Sequence, residues 1–303
     1  MRVLLVDVDS RIPNLALMKI SAWNKLQGHD VGFNIENPDK VYISCIFTKN
    51  KGQAKGIAKL YPGAEIDIGG SGIDLKKDLP VEIENIKPDY DLYLSTYSQD
   101  YTSRGCPRKC PFCFVPEKEG MIRTAKHPSE FHDSRFDTCM IMDNNLFATP
   151  ASWQWEVFKW FHNNKIKMLS PQGWDIRLLN EERAGFLKMV KHAGIIHFAW
   201  DNVNDEPTIL KGISLLKDTG FDLRRKVSFY VLCGFAMIDG KPRQVPFSKD
   251  DLYRCQILKD NGVQAFVMPY HKKDKQINAL ARWANRPWLY WSIPFEKYSR
   301  RVK

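Results

Sequence analysis

The feature that most constrains the fold is the alternation of short apolar runs with amphipathic stretches from residue 101 onward. The apolar runs predict strands over 101–104, 138–142, 167–169, 195–200, 226–232 and 263–268. Helical spacing of apolar residues predicts helices over 153–162, 180–192, 206–218 and 249–261. Strands that alternate with helices favour a parallel sheet with right-handed crossovers, and in α/β barrels ligands bind at the carboxyl ends of the strands.

The sequence pattern predicts a separate α/β unit over the first 97 residues. Apolar runs over 2–8, 41–47 and 65–68 predict strands, and helical spacing over 15–27 and 53–60 predicts helices between them. The sequence therefore predicts an α/β protein with two domains, a Rossmann-like parallel domain over 1–97 and a second α/β domain over 98–303 with a short C-terminal extension.

Three cysteines lie close together at Cys106, Cys110 and Cys113. The spacing C-x-x-x-C-x-x-C supplies three thiolates and no fourth. An iron–sulfur cluster that only transfers electrons normally has four cysteine ligands. A [4Fe-4S] cluster held by three thiolates would leave one iron open, which indicates a site where a small molecule completes the coordination.

The same cysteines also fit a zinc site. With an imidazole such as His127 or His132 they would supply the three Cys and one His that structural zinc accepts. Zinc ribbons favour paired C-x-x-C hooks, whereas this chain has a single three-cysteine motif after a short extended segment, so the cluster is the favoured hypothesis. Seven cysteines and no apolar leader favour a reducing, cytoplasmic location over disulfides.

The cysteine spacing, with Phe112 directly before the last cysteine, resembles the motif of the radical S-adenosylmethionine (radical SAM) superfamily. The resemblance implies a partial (β/α)6 barrel over the second domain. In that family the open iron binds the amino and carboxylate groups of S-adenosylmethionine. An electron from the cluster cleaves this cofactor to a 5′-deoxyadenosyl radical, which abstracts hydrogen from a substrate. The family also implies a reductant such as a flavodoxin or ferredoxin as a partner.

The resemblance further implies which residues contact S-adenosylmethionine. Phe112 is expected to present its backbone to the adenine. Asp143, Asn144 and Asn145 stand where the family often has a Gly-Gly-Glu-type motif that accepts hydrogen bonds from the methionine amino group. A helix-capping role is an equal alternative for Asn145.

Other cofactor contacts are expected at the ends of later predicted strands. Ser170, Gln172 and Asp201 have the side-chain types that bind ribose hydroxyls or the methionine carboxylate, or orient a substrate, and helix capping is the alternative for each. Met268, Pro269 and Tyr270 stand where the family places apolar and backbone contacts to adenine.

The first 97 residues resemble the cobalamin-binding-type domain that precedes many radical SAM barrels. Ser44-x-Ile46 and Gly69-Gly70 are similar to two of its signatures. The segment from Asp7 to Asn14, however, contains no histidine to ligate cobalt by the family's Asp-x-His-x-x-Gly route. A scaffold role is therefore favoured over cobalamin binding, and a cobalamin-dependent radical SAM methylase is the alternative function.

The net charge of the chain indicates which kinds of substrate and partner it favours. A formal net charge of +10 favours an anionic substrate such as a nucleotide or nucleic acid, although the basic residues are scattered and also fit solvated faces. A zinc-stabilised basic module for nucleic acid is accordingly the second alternative. No apolar run reaches the length of about 18 residues that a membrane span needs, so no membrane partner is expected.

Overall fold

The computed structural model describes residues 1–299, which form a mixed α/β structure with parallel sheets. The strands are β1 (Arg2–Asp7), β2 (Asp30–Gly32), β3 (Lys40–Ser44), β4 (Glu65–Gly69), β5 (Ser98–Asp100), β6 (Ser103–Arg104), β7 (Arg123–Thr124), β8 (Thr138–Ile141), β9 (Lys167–Leu169), β10 (Ile196–Ala199), β11 (Val227–Cys233), β12 (Phe235–Ile238), β13 (Lys241–Gln244) and β14 (Gln264–Pro269). The α/β class predicted from the sequence is confirmed.

The helices connect these strands. They are α1 (Leu15–Leu26), α2 (Lys51–Ala58), α3 (Val81–Glu84), α4 (Val115–Lys118), α5 (Pro128–Phe131), α6 (Ala151–Asn164), α7 (Glu181–Met189), α8 (Glu206–Asp218), α9 (Leu223–Lys226), α10 (Lys249–Asp260), α11 (Lys275–Ala284), α12 (Pro287–Ser292) and α13 (Phe295–Ser299). Within residues 1–299, none of them combines the length and the apolar composition that crossing a bilayer requires.

The chain divides into two compact units. The first comprises residues 1–101 and 126–140, and the second comprises 102–125 and the residues from 141 onward. The domain boundary between residues 97 and 98 stays a prediction, and residues 300–303 of its second domain lie outside the described part of the chain.

The first unit is built on a parallel sheet with the strand order β2-β1-β3-β4. Alternate residues of β1 point to opposite faces, and both faces are covered. Val3 and Leu5 pack with Leu17 and Ile20 of α1, whereas Leu4 packs in a second apolar cluster that includes Ala54 of α2. Burial on both faces explains why β1 and β3 read as continuous apolar runs.

The second unit contains a parallel sheet with the order β10-β11-β14. One face of it is fully buried, as Phe198, Phe229 and Val267 show. Residues that alternate with them along the strands, such as His197 and Phe266, lie on the opposite and more open face.

One strand prediction in this region is wrong in its pairing. The sequence predicts a parallel strand over 101–104, but only Ser103–Arg104 is extended there, and it pairs antiparallel with Arg123–Thr124. The polar segment after the cysteines returns to this strand, which apolar periodicity does not reveal.

Candidate cysteine-loop site

The cysteine loop, residues 105–122, runs between the two short antiparallel strands β6 and β7. It begins at Gly105, whose φ of 83° is left-handed. A Cβ there would overlap the carbonyl oxygens of Met121 and Gly120, and the amide of Cys106 donates a hydrogen bond of 3.2 Å to Gly120 O. Only glycine allows the two ends of the loop to approach this closely.

An ion pair fastens the base of the same loop. Arg104 Nε and Nη2 donate to the two carboxylate oxygens of Glu119 at 2.7 and 3.1 Å. The Glu119 side chain is buried, and Arg123 donates to its backbone carbonyl. A two-point Arg–carboxylate contact fixes both distance and orientation, so the loop closes on a rigid base.

The three cysteines carry free thiols, of which Cys113 is exposed and the other two are half-buried. Cys106 Sγ accepts hydrogen bonds from the Arg108 amide at 3.4 Å and from Asn145 Nδ2 at 3.5 Å, and Cys113 Sγ accepts one from the Val115 amide at 3.4 Å. Such donors stabilise sulfur in its thiolate form, which is the form that binds metals.

The groups around the Cys110 thiol shift its pKa in opposite directions. Burial raises the pKa of the Cys110 thiol, the positive charge of Arg177 opposes this, and the neighbouring Cys113, Asp201 and Cys106 add to the rise. The Cys110 thiol therefore senses its two neighbouring cysteines and two side chains from distant parts of the chain.

Over residues 1–299, the side chains of His, Cys, Asp and Glu form no group of three or more that is arranged to hold a metal ion. The assignment of Cys106, Cys110 and Cys113 as metal ligands stays a prediction.

Asp143 and Asn144 hold the segment that leads into the cysteine loop. The buried carboxylate of Asp143 accepts hydrogen bonds from the Thr102 amide at 2.6 Å, from the Thr102 hydroxyl and from the Ser103 hydroxyl. Burial raises the pKa of Asp143 to about 6, although these hydrogen bonds act against the rise. Asn144 Oδ1 accepts from the Gly105 amide at 3.1 Å. The carboxylate of Asp143 thus accepts three hydrogen bonds from within the chain.

Asn145 is arranged differently from its two neighbours. Its Nδ2 faces Cys106 Sγ and, at 3.4 Å, Asp175 Oδ2, whereas its buried Oδ1 has no hydrogen-bond partner among residues 1–299. No bond from its side chain caps the following 3₁₀ turn. An unpaired buried acceptor is unfavourable unless a ligand or water supplies a donor.

Asp175 links this region to two arginines that the sequence analysis did not single out. Asp175 Oδ2 lies 3.0 Å from Arg108 Nε, and Asp175 Oδ1 lies 2.7 Å from Arg177 Nε. Burial alone would raise the pKa of Asp175, but the hydrogen bonds and charges of Arg177 and Arg108 lower it below the usual value. Because Arg108 belongs to the cysteine motif, this ion pair connects the loop to the segment that follows β9.

Four of the predicted cofactor contacts line one small cleft. Asp143, Asn145, Ser170 and Gln172 meet there beside the apolar side chains of Ile141, Leu146 and Trp174. Ser170 Oγ is buried and accepts a hydrogen bond of 3.0 Å from Trp174 Nε1, whereas Gln172 is exposed.

Asp201 lies at the carboxyl end of β10 and accepts a hydrogen bond of 3.2 Å from the Leu232 amide. Burial raises the pKa of Asp201, and the Leu232 amide and the charges of Arg254 and Arg177 oppose this rise. Its charge also raises the pKa of the Cys113 thiol, after burial as the largest cause. This predicted residue therefore stands within electrostatic reach of the cysteine loop.

Two of the predicted adenine contacts, Phe112 and Tyr270, meet at the ring of Phe235, which was not predicted as a site residue. Phe235 makes edge-to-face contacts with Phe112, at 5.3 Å between ring centroids, and with Tyr270, at 5.1 Å. Pro269 ends β14 opposite Cys233, and Met268, one residue earlier, is exposed. Phe235 follows Gly234, the residue directly after β11. A glycine there signals the end of a strand, but it does not reveal which rings Phe235 contacts.

His197 is a second residue that was missed. Its ring stacks on Tyr230 with 4.5 Å between centroids, and its buried Nδ1 has no hydrogen-bond partner among residues 1–299. Burial lowers the pKa of His197 to about 4, so the imidazole is neutral near pH 7. The alternation of buried and open positions along β10 is the signal that could have pointed to it.

In the first unit, the segment that lacks a histidine is tied to a neighbouring loop. Asp9 accepts hydrogen bonds from the amides of Ile46 and Phe47 at 2.7 and 3.0 Å and from Asn50 Nδ2 at 2.8 Å. Gly70 has a left-handed φ of 98°, and a Cβ there would overlap Cys45 O. The segments that resemble cobalamin signatures therefore pack on each other.

Comparison with known proteins adds no family assignment. No protein-family model matches this chain, and no curated protein matches its sequence.

Proposed function

We propose that this chain is a radical SAM enzyme, with Cys106, Cys110 and Cys113 as the ligands of a [4Fe-4S] cluster. The observation that carries the proposal is the set of three free thiols on one fastened loop, two of which accept hydrogen bonds from N–H groups. Thiolates are the ligands that iron–sulfur clusters require, and N–H donors to sulfur tune such clusters. The donor set therefore fits the cluster chemically.

The arrangement of the second unit supports a partial barrel as the scaffold. Parallel strands β10, β11 and β14 are separated along the chain by helices α8 and α10, which is the strand–helix order that such a barrel repeats. Asp201 and Tyr270 follow the carboxyl ends of two of these strands, the edge at which α/β barrels bind ligands.

When bound, the cluster would supply the electron that cleaves S-adenosylmethionine to methionine and a 5′-deoxyadenosyl radical. The residues of the cleft would bind and orient that cofactor. The unpaired Oδ1 of Asn145 is the natural acceptor for an ammonium or hydroxyl donor. The rings of Phe112 and Tyr270, joined through Phe235, offer apolar surface for adenine.

Two further parts of the proposal concern partners. A small acidic electron carrier such as a flavodoxin or ferredoxin would deliver the electron, and the net charge of +10 favours an anionic substrate. The product that follows hydrogen abstraction is set by the substrate.

The decisive experiment is anaerobic reconstitution with iron and sulfide. We expect about four iron and four sulfide per chain, and 5′-deoxyadenosine when S-adenosylmethionine and dithionite are added. One zinc and no iron would instead favour the zinc-stabilised nucleic-acid module, and 5′-deoxyadenosine must then be absent.

A parallel incubation with hydroxocobalamin separates the radical enzyme from the cobalamin-dependent methylase. We expect no stoichiometric corrinoid after desalting, because the Asp9 segment offers no imidazole and its carboxylate is bonded to the neighbouring loop. Retention of a corrinoid spectrum would favour the methylase.

A further inference from the structure

The two carboxylate oxygens of Asp175 contact different parts of the chain. Oδ1 serves its own turn, because it accepts hydrogen bonds from the Arg177 amide at 3.2 Å, which caps the 3₁₀ turn Ile176–Leu178, and from Arg177 Nε at 2.7 Å. Oδ2 accepts from residues that are distant along the chain, Arg108 Nε at 3.0 Å and Asn145 Nδ2 at 3.4 Å. Capping of the turn therefore explains Oδ1 only.

The two residues at Oδ2 are the same two that donate to the sulfur of Cys106. The Arg108 amide lies 3.4 Å from Cys106 Sγ, and Asn145 Nδ2 lies 3.5 Å from it. The Asp175 side chain is only 6% exposed, so water competes little for these contacts. One buried carboxylate oxygen is thus shared by both residues that place an N–H group on this sulfur.

The charge of Asp175 also determines which way the Asn145 amide points. Paired with Arg108 and Arg177, the carboxylate is ionised and can only accept, so it holds the NH₂ group of Asn145 towards itself. The same Nδ2 then faces Cys106 Sγ, and Oδ1 is left unpaired at the cleft that Asn145 lines. Without the carboxylate, nothing in this contact would prevent the amide from turning over and presenting its oxygen to the sulfur.

We propose that Asp175 is a positioning residue that holds the N–H groups of Arg108 and Asn145 on Cys106 Sγ and thereby raises the reduction potential of the cluster. This inference rests on the proposed function, which assigns Cys106 as a cluster ligand. A reduced cluster carries one more negative charge than an oxidised one, and N–H dipoles directed at its sulfur stabilise that charge. The contacts of Asp175 Oδ2 would therefore favour uptake of the electron.

A double-mutant cycle on the reduction potential tests the proposal. The full chain is reconstituted anaerobically with iron and sulfide, and its reduction is titrated without S-adenosylmethionine and followed by electron paramagnetic resonance. Asn145→Leu removes one N–H donor without a change in charge. We expect the equilibrium constant for one-electron reduction to fall about tenfold, which corresponds to about 59 mV.

The second arm of the cycle repeats Asn145→Leu in a chain that carries Asp175→Asn. There the replacement should change the reduction constant by less than about twofold, because the Asn145 amide is no longer held on the sulfur. Loss of the Asp175 charge affects both members of this comparison, so it cancels from the difference between them.

Asp251→Asn supplies the matched control background. Asp251 is also a buried aspartate of the second unit, and it lies 2.9 Å from Arg254 Nη2. Asn145→Leu should keep its tenfold effect in that background. A merely structural role for Asp175 predicts the same response in both backgrounds, so equal effects would overturn the proposal. An unchanged potential in the single variant Asn145→Leu would overturn it as well.

Asn145→Ala and Asp175→Ser keep the cycle falsifiable if a first-choice variant fails to fold, as judged by circular dichroism. Serine, like asparagine, can cap the turn that begins at Asp175. The outcomes also separate this inference from the proposed function. An unaltered chain that assembles no cluster would overturn both, whereas a chain that cleaves S-adenosylmethionine but shows no coupling between Asn145 and Asp175 would overturn this inference alone.

Discussion

Arg104 and Glu119 form a two-point ion pair across the base of the cysteine loop, with 2.7 Å between Arg104 Nε and Glu119 Oε2. Both side chains are largely withdrawn from water, at 16% and 5% exposure. Their contact joins the strand that precedes the cysteine loop to the end of the loop.

Replacing Glu119 by Ala should therefore destabilise the second unit by about 3 kcal/mol, because a poorly solvated arginine loses a two-point contact with a buried carboxylate. Urea unfolding measures the change. The matched control is Asp91→Ala, which removes an exposed partner of Arg135 and should cost much less, because water screens an exposed ion pair. Similar losses in the two variants would show that the loop base is not held by this pair.

Cys110→Ala should abolish cluster assembly and the formation of 5′-deoxyadenosine while the chain stays folded, because Cys110 is a loop residue that is only half-buried. Iron analysis and circular dichroism provide the two measurements. Cys45→Ala removes a thiol from the core of the first unit and should leave the iron content unchanged. Full iron loading in Cys110→Ala would remove the central proposal.

The pKa of Asp143, raised to about 6 by burial, predicts a pH dependence of stability. The folded state binds the proton more tightly than the unfolded state, whose carboxyl has a pKa near 3.8. The free energy of unfolding should therefore fall as the pH rises from about 4 to about 6, by about 3 kcal/mol from this group. Asn at this position cannot ionise, and its amide can bond to the rotatable hydroxyls of Thr102 and Ser103. Unfolding curves of Asp143→Asn should lack this fall, and parallel pH profiles would contradict the assignment.

Lys19 is 1% exposed and lies 2.9 Å from Glu84 Oε1 and 3.0 Å from Asp100 Oδ1. Lys19→Met should destabilise the first unit by about 3 kcal/mol, because two carboxylates lose a buried cation that they share, although Lys126 still pairs with Asp100. Lys25→Met, which removes a half-exposed lysine from Asp89, should change the stability by less than about 1 kcal/mol. Thermal or urea unfolding gives both values, and equal losses would refute a special role for Lys19.

Periodicity predicted several regular elements of the second half but missed the helices α11, α12 and α13. The helix Glu206–Asp218 and the strand Lys167–Leu169 have the predicted bounds. Strand β2 was missed because Asp30–Gly32 is too short to show alternation. The hairpin β12–β13 was missed because Lys241–Gln244 is polar, although the Asp239-Gly240 turn, with φ of 50° and 69°, carries a strong hairpin signal.

Spacing along the chain was enough to predict a candidate site at the three cysteines, and their role as ligands stays a prediction. Contacts between distant segments were beyond the sequence. Nothing in the sequence pairs Asp175 with Arg108, because the fold brings together residues that are far apart along the chain. The same reason hid the role of Asp143, whose partners Thr102 and Ser103 precede it by about forty positions.

Gly105 has a practical consequence for anyone who rebuilds this protein. Because the backbone of residues 120–121 occupies the space of its missing side chain, the start and the end of the cysteine loop cannot be exchanged separately. A chimera that imports another cysteine spacing must transfer the whole segment from Arg104 to Arg123, so that glycine, ion pair and returning strand move together. The cysteine loop can therefore be grafted only as one intact segment.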